Sequence, residues 1–132
     1  MTADKRAMAL YAAPLDWPSL LALRPVALLA MDPYHLPLRP TSRLYFLWRP
    51  WVGLRLNQVT PQQWYEAARR EWALKGFRYF NGILPLNEPN VHEESGLPTG
   101  SREAAEVVNA WYAGLVPLLR NEWPDVEIHT PP

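Results

Sequence analysis

The sequence predicts an α/β fold built from parallel βα units. Short apolar runs closed by Pro, Asn or Asp alternate along the chain with segments of helical periodicity. The two best helical segments, beginning at Thr60 and Ser101, each lie between two such runs, the arrangement of a strand–helix–strand crossover. The 132 residues are 48% hydrophobic and 20% charged, enough for one domain with a real core and too few for two, so residues 1–132 are taken as a single domain.

The first strand is expected at residues 7–13 (AMALYAA), closed by Pro14. Residues 16–23 form a short helix, with Asp16 as N-cap and Pro18 in the first turn, where its missing N–H costs nothing. Residues 26–31 follow Pro25 as an unbroken apolar run, suited to a strand covered on both faces. Residues 34–42 contain Pro37 and Pro40 and form a loop. The segment 43–48 (RLYFLW) is the most strand-like, rich in aromatics and stopped by Pro50. Thr60-Pro61-Gln62-Gln63 is a capping box with Pro at the first helical position. Trp64, Ala68 and Trp72 then recur every fourth residue as a buried stripe, and Gly76 ends the helix. Residues 77–86 make the fourth strand, followed by a polar loop to Gly100. Ser101 opens the last helix, striped by Val108, Trp111, Tyr112, Leu115 and Leu119, with Pro117 expected to kink it or end it early. Residues 126–129 make the fifth strand.

Thirteen Lys and Arg balance thirteen Asp and Glu, so the chain carries no electrostatic footprint for nucleic acid or an anionic membrane. The absence of cysteine excludes disulfides, thiolate metal sites and cysteine nucleophiles. The apolar run 20–31 is broken by Arg24-Pro25, short of the roughly 20 residues that a membrane span needs. The N-terminal apolar stretch after Lys5-Arg6 is cut by Pro14 and Asp16, unlike a targeting signal. Together these features predict a cytoplasmic protein. No cofactor is expected, since the six glycines are scattered singly and make no phosphate loop. No metal is expected either: His35, His92 and His129 lack ligand spacing, and His92-Glu93-Glu94 lacks the second His of a zinc helix. Ser19, Ser42, Ser95 and Ser101 have no nucleophile-elbow context.

Parallel α/β sheets gather ligands at the carboxyl ends of their strands. Here those ends supply Asp32 and His35 after the second strand, and Trp48, Arg49 and Trp51 after the third. Asn87, Glu88 and Asn90 follow the fourth, and His129 and Thr130 the fifth. These ends bring carboxylate, amide, imidazole, guanidinium and indole groups to one rim.

The run Leu86-Asn87-Glu88-Pro89-Asn90 resembles the Asn-Glu-Pro signature of the clan-A glycoside hydrolases, which are (β/α)8 barrels. In that clan the motif closes the fourth strand, and here too it follows the fourth. The resemblance extends over residues 44–132, through the helix containing Ala-Glu-Val-Val-Asn-Ala-Trp-Tyr and the strand ending His-Thr-Pro-Pro. It implies a partial, half-TIM-barrel architecture, with Glu88 as general acid/base and Asn87 on the sugar 2-hydroxyl. Asn90, Trp48, Arg49, Trp51, Asp32 and His129 complete the substrate-binding set. The clan's nucleophile comes from the seventh strand, and retaining chemistry needs a second carboxylate about 5–5.5 Å from the first; these 132 residues reach only the fifth strand. Two functions therefore stay open, a glycosidase-like domain or fragment and a non-catalytic glycan-binding or protein-interaction module, beside a plain α/β domain in which the motif is accidental. A half-barrel exposes its sheet edges and its interior, so self-association or a complementary half-barrel is expected beside carbohydrate as partner.

Overall fold

Parallel neighbours cannot be joined by a tight turn; each needs a crossover of about a dozen residues or more, and the spacing of the apolar runs allows for that. A computed structural model of the chain describes residues 8–9, 27–30, 45–50, 52–75, 80–86, 89 and 92–130. Five short strands, β1 (Met8–Ala9), β2 (Ala27–Ala30), β3 (Tyr45–Trp48), β4 (Gly82–Ile83) and β5 (Glu127–Ile128), form one sheet. They lie side by side in chain order, every neighbouring pair parallel. A 3-10 turn (Leu56–Gln58) precedes α1 (Pro61–Lys75) between β3 and β4. The one-turn α2 (His92–Ser95) and the long α3 (Arg102–Glu122) lie between β4 and β5. The helix expected at 16–23 falls outside the described residues.

The alternation of β3 explains how the sheet is used. Phe46 and Trp48 are buried and Tyr45 and Leu47 half-buried, so successive residues address opposite faces. Register carries this pattern across the sheet: Trp48 pairs with Ile83 and Ile83 with Ile128, whereas Leu47 pairs with Gly82 and Gly82 with Glu127. The Phe46–Trp48–Ile83 face receives α1 and α3, which pack against each other. Trp64 and Ala68 from α1, and Trp111, Tyr112, Leu115 and Leu119 from α3, close a single core with Leu56, Val59, Phe80 and Leu86. Each large side chain buried there contributes about 1.5–3 kcal/mol. The Trp111 indole N–H donates to the Val59 carbonyl at 2.9 Å, so the ring is buried with its polar edge satisfied. Tyr65 adds a bond from its hydroxyl to Glu122 (2.9 Å) that ties α1 to α3.

Helix starts follow local chemistry. The Thr60 amide donates to Gln63 Oε1 (3.0 Å) and the Gln63 amide to Thr60 Oγ1 (3.1 Å), completing the reciprocal box read from the sequence. Ser101 Oγ accepts from the Ala104 amide at 3.0 Å and caps α3. Thr60→Ala should lower stability by about 1 kcal/mol, seen as a drop in the urea midpoint at unchanged slope. A midpoint equal to that of the parent chain would mean that packing alone nucleates α1.

Three expectations are corrected. Of the two outcomes expected at Pro117, a kink or an early end, the early end does not occur: α3 continues past Pro117 to Glu122. Pro117 and Ala113 are both exposed, so the carbonyl deprived of its helical N–H partner lies on the solvent side, where water can satisfy it. The fourth strand is shorter than 77–86 within its described part. Its pairing with β3 runs from Asn81, whose amide donates to Phe46 O (2.8 Å), to Leu84, whose amide donates to Trp48 O (2.9 Å). Pro85, with no N–H, cannot carry the ladder further. The polar loop after the fourth strand contains α2, closed where the Gly96 amide donates to His92 O at 2.8 Å and Gly96 adopts a φ of 73°.

Candidate functional site at the carboxyl ends of the strands

Arg49 leaves β3 and Pro85-Leu86 leave β4 at the same edge of the sheet. Between them opens a cavity of about 250 Å³, walled also by Val52, Arg55, Gln58, Glu93 and Glu94. Arg49 is 12% exposed, and its Nη2 lies 3.3 Å from Glu94 Oε1. The short helix α2 thus sets an anionic partner against the guanidinium from across the cavity. A partly buried bidentate-capable cation beside carboxylates and an amide suits a hydroxylated or acidic ligand. From Leu86 the chain runs directly into Asn87-Glu88, and Pro89 of the motif is buried.

The opposite face of the sheet carries a second polar cluster. Tyr45 reaches across β4 and donates its hydroxyl proton to Glu127 Oε2 at 2.6 Å. The same hydroxyl lies 2.7 Å from His129 Nε2, with the two rings edge to face. Gly82 of β4 makes this crossing possible. A Cβ there would fall against the Tyr45 hydroxyl and 2.9 Å from His129 Nε2 and Cδ2. His129 is 40% exposed and its amide still bonds Ile83 O, so it continues the β5 ladder while its ring remains accessible.

Burial first, then the hydrogen bond to Glu127 and the charge of that carboxylate, push the Tyr45 phenol above its ordinary range. Burial does the same to Tyr112, whose enclosed hydroxyl lies near the Leu86 backbone without completing a hydrogen bond. A phenol with a higher pKa folded than unfolded holds its proton more tightly in the native state. Its stabilisation is whole below the unfolded value of about 10 and is lost as the pH rises from there toward the folded value. Urea midpoints are expected to fall between about pH 9 and 11, less steeply in Tyr45→Phe and Tyr112→Phe. Parallel pH profiles in parent and variants would exclude these phenols as the cause.

Of the residues expected at the site, Arg49 lines the cavity, and His129 stands at the end of β5 with Tyr45 and Glu127. Trp48 is corrected: it is 0% exposed, with the rings of Trp72, Phe80 and Trp123 centred 5.5, 5.2 and 6.0 Å away. Strand alternation places it on the helix side with Phe46, so it has no free face for a sugar. Asp32, His35, Trp51, Asn87, Glu88 and Asn90 lie outside the described residues. Thr130 is exposed beyond β5. Sequence reasoning missed Glu94 as the partner of Arg49, and Tyr45 and Glu127 as those of His129. The signal for the latter pair was the period of two, which sets Tyr45 opposite Phe46 and Trp48 and sets Glu127 with His129. Among the described residues no group of three or more His, Asp or Glu is placed to hold a metal, and no helix is long and apolar enough to cross a membrane. Neither a family model nor a curated protein nor a solved structure matches the chain.

Proposed function

We propose that the chain is a carbohydrate-binding α/β domain resembling one half of a (β/α)8 barrel, with Glu88 as its acid/base carboxyl and Asn87 beside it on the ligand. The observation that carries this reading is the sheet itself: five parallel strands in unbroken chain order, followed after the fourth by Asn-Glu-Pro. Chain-order parallel pairing is how a (β/α)8 barrel is assembled, and its ligands gather at the carboxyl edge. The cavity holding Arg49 and Glu94 opens at that edge, and Leu86, one residue before the motif, is part of its lining. Asp32, Trp51, Asn90 and His129 are proposed as further ligand contacts because they follow strands at the same edge. Binding without completed hydrolysis is the expected behaviour of these residues alone, since retaining chemistry takes two carboxylates.

The test pairs binding with turnover. Glycan-array screening and calorimetry on the unmodified chain should reveal a bound oligosaccharide. Glu88→Gln should retain that binding and reduce any aryl-glycoside cleavage by at least about 10²-fold, the contribution of a positioned proton donor. A folded chain that binds no glycan would overturn the reading. A half-barrel should also associate through its open edges, so sedimentation at high concentration should show species heavier than 15.2 kDa. A clean monomer would count against the half-barrel architecture.

A further inference from the structure

The contacts around the Tyr45 hydroxyl determine where the proton of His129 resides. Tyr45 has one proton to give and two close polar neighbours, Glu127 Oε2 at 2.6 Å and His129 Nε2 at 2.7 Å. Were it given to His129, two oxygens 2.6 Å apart, one of them a carboxylate's, would face each other with no hydrogen between them. The His129 lone pair would also point at that carboxylate, 3.5 Å away. Given to Glu127 instead, it leaves the tyrosine oxygen free to accept an N–H from Nε2, and the same N–H is then attracted by Glu127. Only this arrangement places a proton in both short contacts with the carboxylate ionised. The raised pKa of Tyr45 keeps its hydroxyl protonated throughout the neutral range.

We infer that Tyr45 and Glu127 are positioning residues that hold neutral His129 in its Nε2–H form, presenting Nδ1 as a hydrogen-bond acceptor to a hydroxyl-bearing ligand. Nδ1 has no hydrogen-bond partner among the described residues, the side chain is 40% exposed, and His129 is among the residues lining an open depression of about 480 Å³ with Arg120, Asp125 and Glu127. A ring nitrogen fixed as an acceptor takes an O–H and rejects a ligand oxygen that has none, so the device selects free hydroxyls over ethers or esters. The choice of a sugar as ligand rests on the carbohydrate-binding reading; the tautomer does not.

Long-range proton–nitrogen correlation spectra of the uniformly 15N-labelled chain, recorded on the alkaline plateau of the ring-nitrogen shifts, read the tautomer directly. His129→Gln assigns the signals. The expected spectrum shows Nε2 protonated and Nδ1 bare. Tyr45→Phe, which removes the accepting oxygen, should convert this to a mixture of the two forms. If that variant fails to fold, Glu127→Gln at an exposed position should move the population in the same direction. A bare Nε2 in the parent chain, or an unchanged tautomer in a folded variant, would overturn the assignment. Titration with cellobiose separates the two readings. A saturable shift of Nδ1 supports the acceptor role. Shifts elsewhere that leave Nδ1 unmoved overturn that role and keep the carbohydrate reading. A spectrum wholly indifferent to cellobiose counts against both the role and the sugar, and leaves the tautomer standing.

Discussion

Trp48→Ala should cost about 3–5 kcal/mol of stability, a large part of the roughly 5–15 kcal/mol available to a domain of this size. The ring has no exposure and sits among Trp72, Phe80 and Trp123 at centroid distances of 5.2–6.0 Å. These aromatics come from β3, α1, the approach to β4 and the end of α3. Truncation therefore opens a void where four segments meet, and rings held by one another cannot collapse into it without losing their own edge-to-face contacts. Trp48→Phe, which keeps a ring, should cost much less and remain folded if the alanine variant does not. The measurement is the urea midpoint with far- and near-ultraviolet circular dichroism. A sugar-stacking platform would behave in the opposite way, with unchanged stability and lost binding. A Trp48→Ala chain as stable as its parent would refute the core assignment.

That contrast shows what was legible in the sequence and what was not. The order and parallel sense of the strands were, because runs such as residues 26–31 and 43–48 carry their own punctuation and the helices between them carry a 3.6-residue period. The two helix starts were, because capping is local: Thr60 with Gln63, and Ser101 with Ala104, need no distant partner. The direction in which Trp48 points was not. A strand's alternation gives two faces, and only the docking of α1 and α3 decides which of them is the core. Pro117 left a kink and an early end both open for a related reason. Its penalty depends on whether the abandoned carbonyl is buried, and on α3 it lies on the exposed side. The partners of Arg49 and His129 were hidden by sequence separation. Arg49 and Glu94 are 45 residues apart, and Tyr45 and His129 are 84 apart. Local pattern gives the face on which Tyr45 and His129 lie, but not that they meet, until the register Leu47–Gly82–Glu127 brings three strands together. At the carboxyl edge, strand counting placed Arg49 after the third strand, and Arg49 lines the cavity that opens there.

Gly82→Ala should destabilise the chain by about 1–3 kcal/mol, a large effect for the addition of one methyl group. Nothing in the backbone forbids the change, since Gly82 is not among the glycines with positive φ. The obstacle is the tyrosine passing over it. A Cβ at residue 82 meets the Tyr45 hydroxyl and approaches the His129 ring to 2.9 Å. The tyrosine is half-buried and its ring can swing toward solvent, so the strain itself is relieved cheaply. What is lost is the pair of hydrogen bonds, one of them to a carboxylate. The penalty should therefore depend on the hydroxyl. In a Tyr45→Phe background, where those bonds are already gone and the offending oxygen is absent, Gly82→Ala should cost at least about 1 kcal/mol less than in the parent chain. Four urea denaturation curves complete the cycle. Equal penalties in the two backgrounds would show that the added methyl group collides with the sheet rather than with Tyr45, and the requirement for glycine at this position would then owe nothing to the Tyr45–Glu127–His129 cluster.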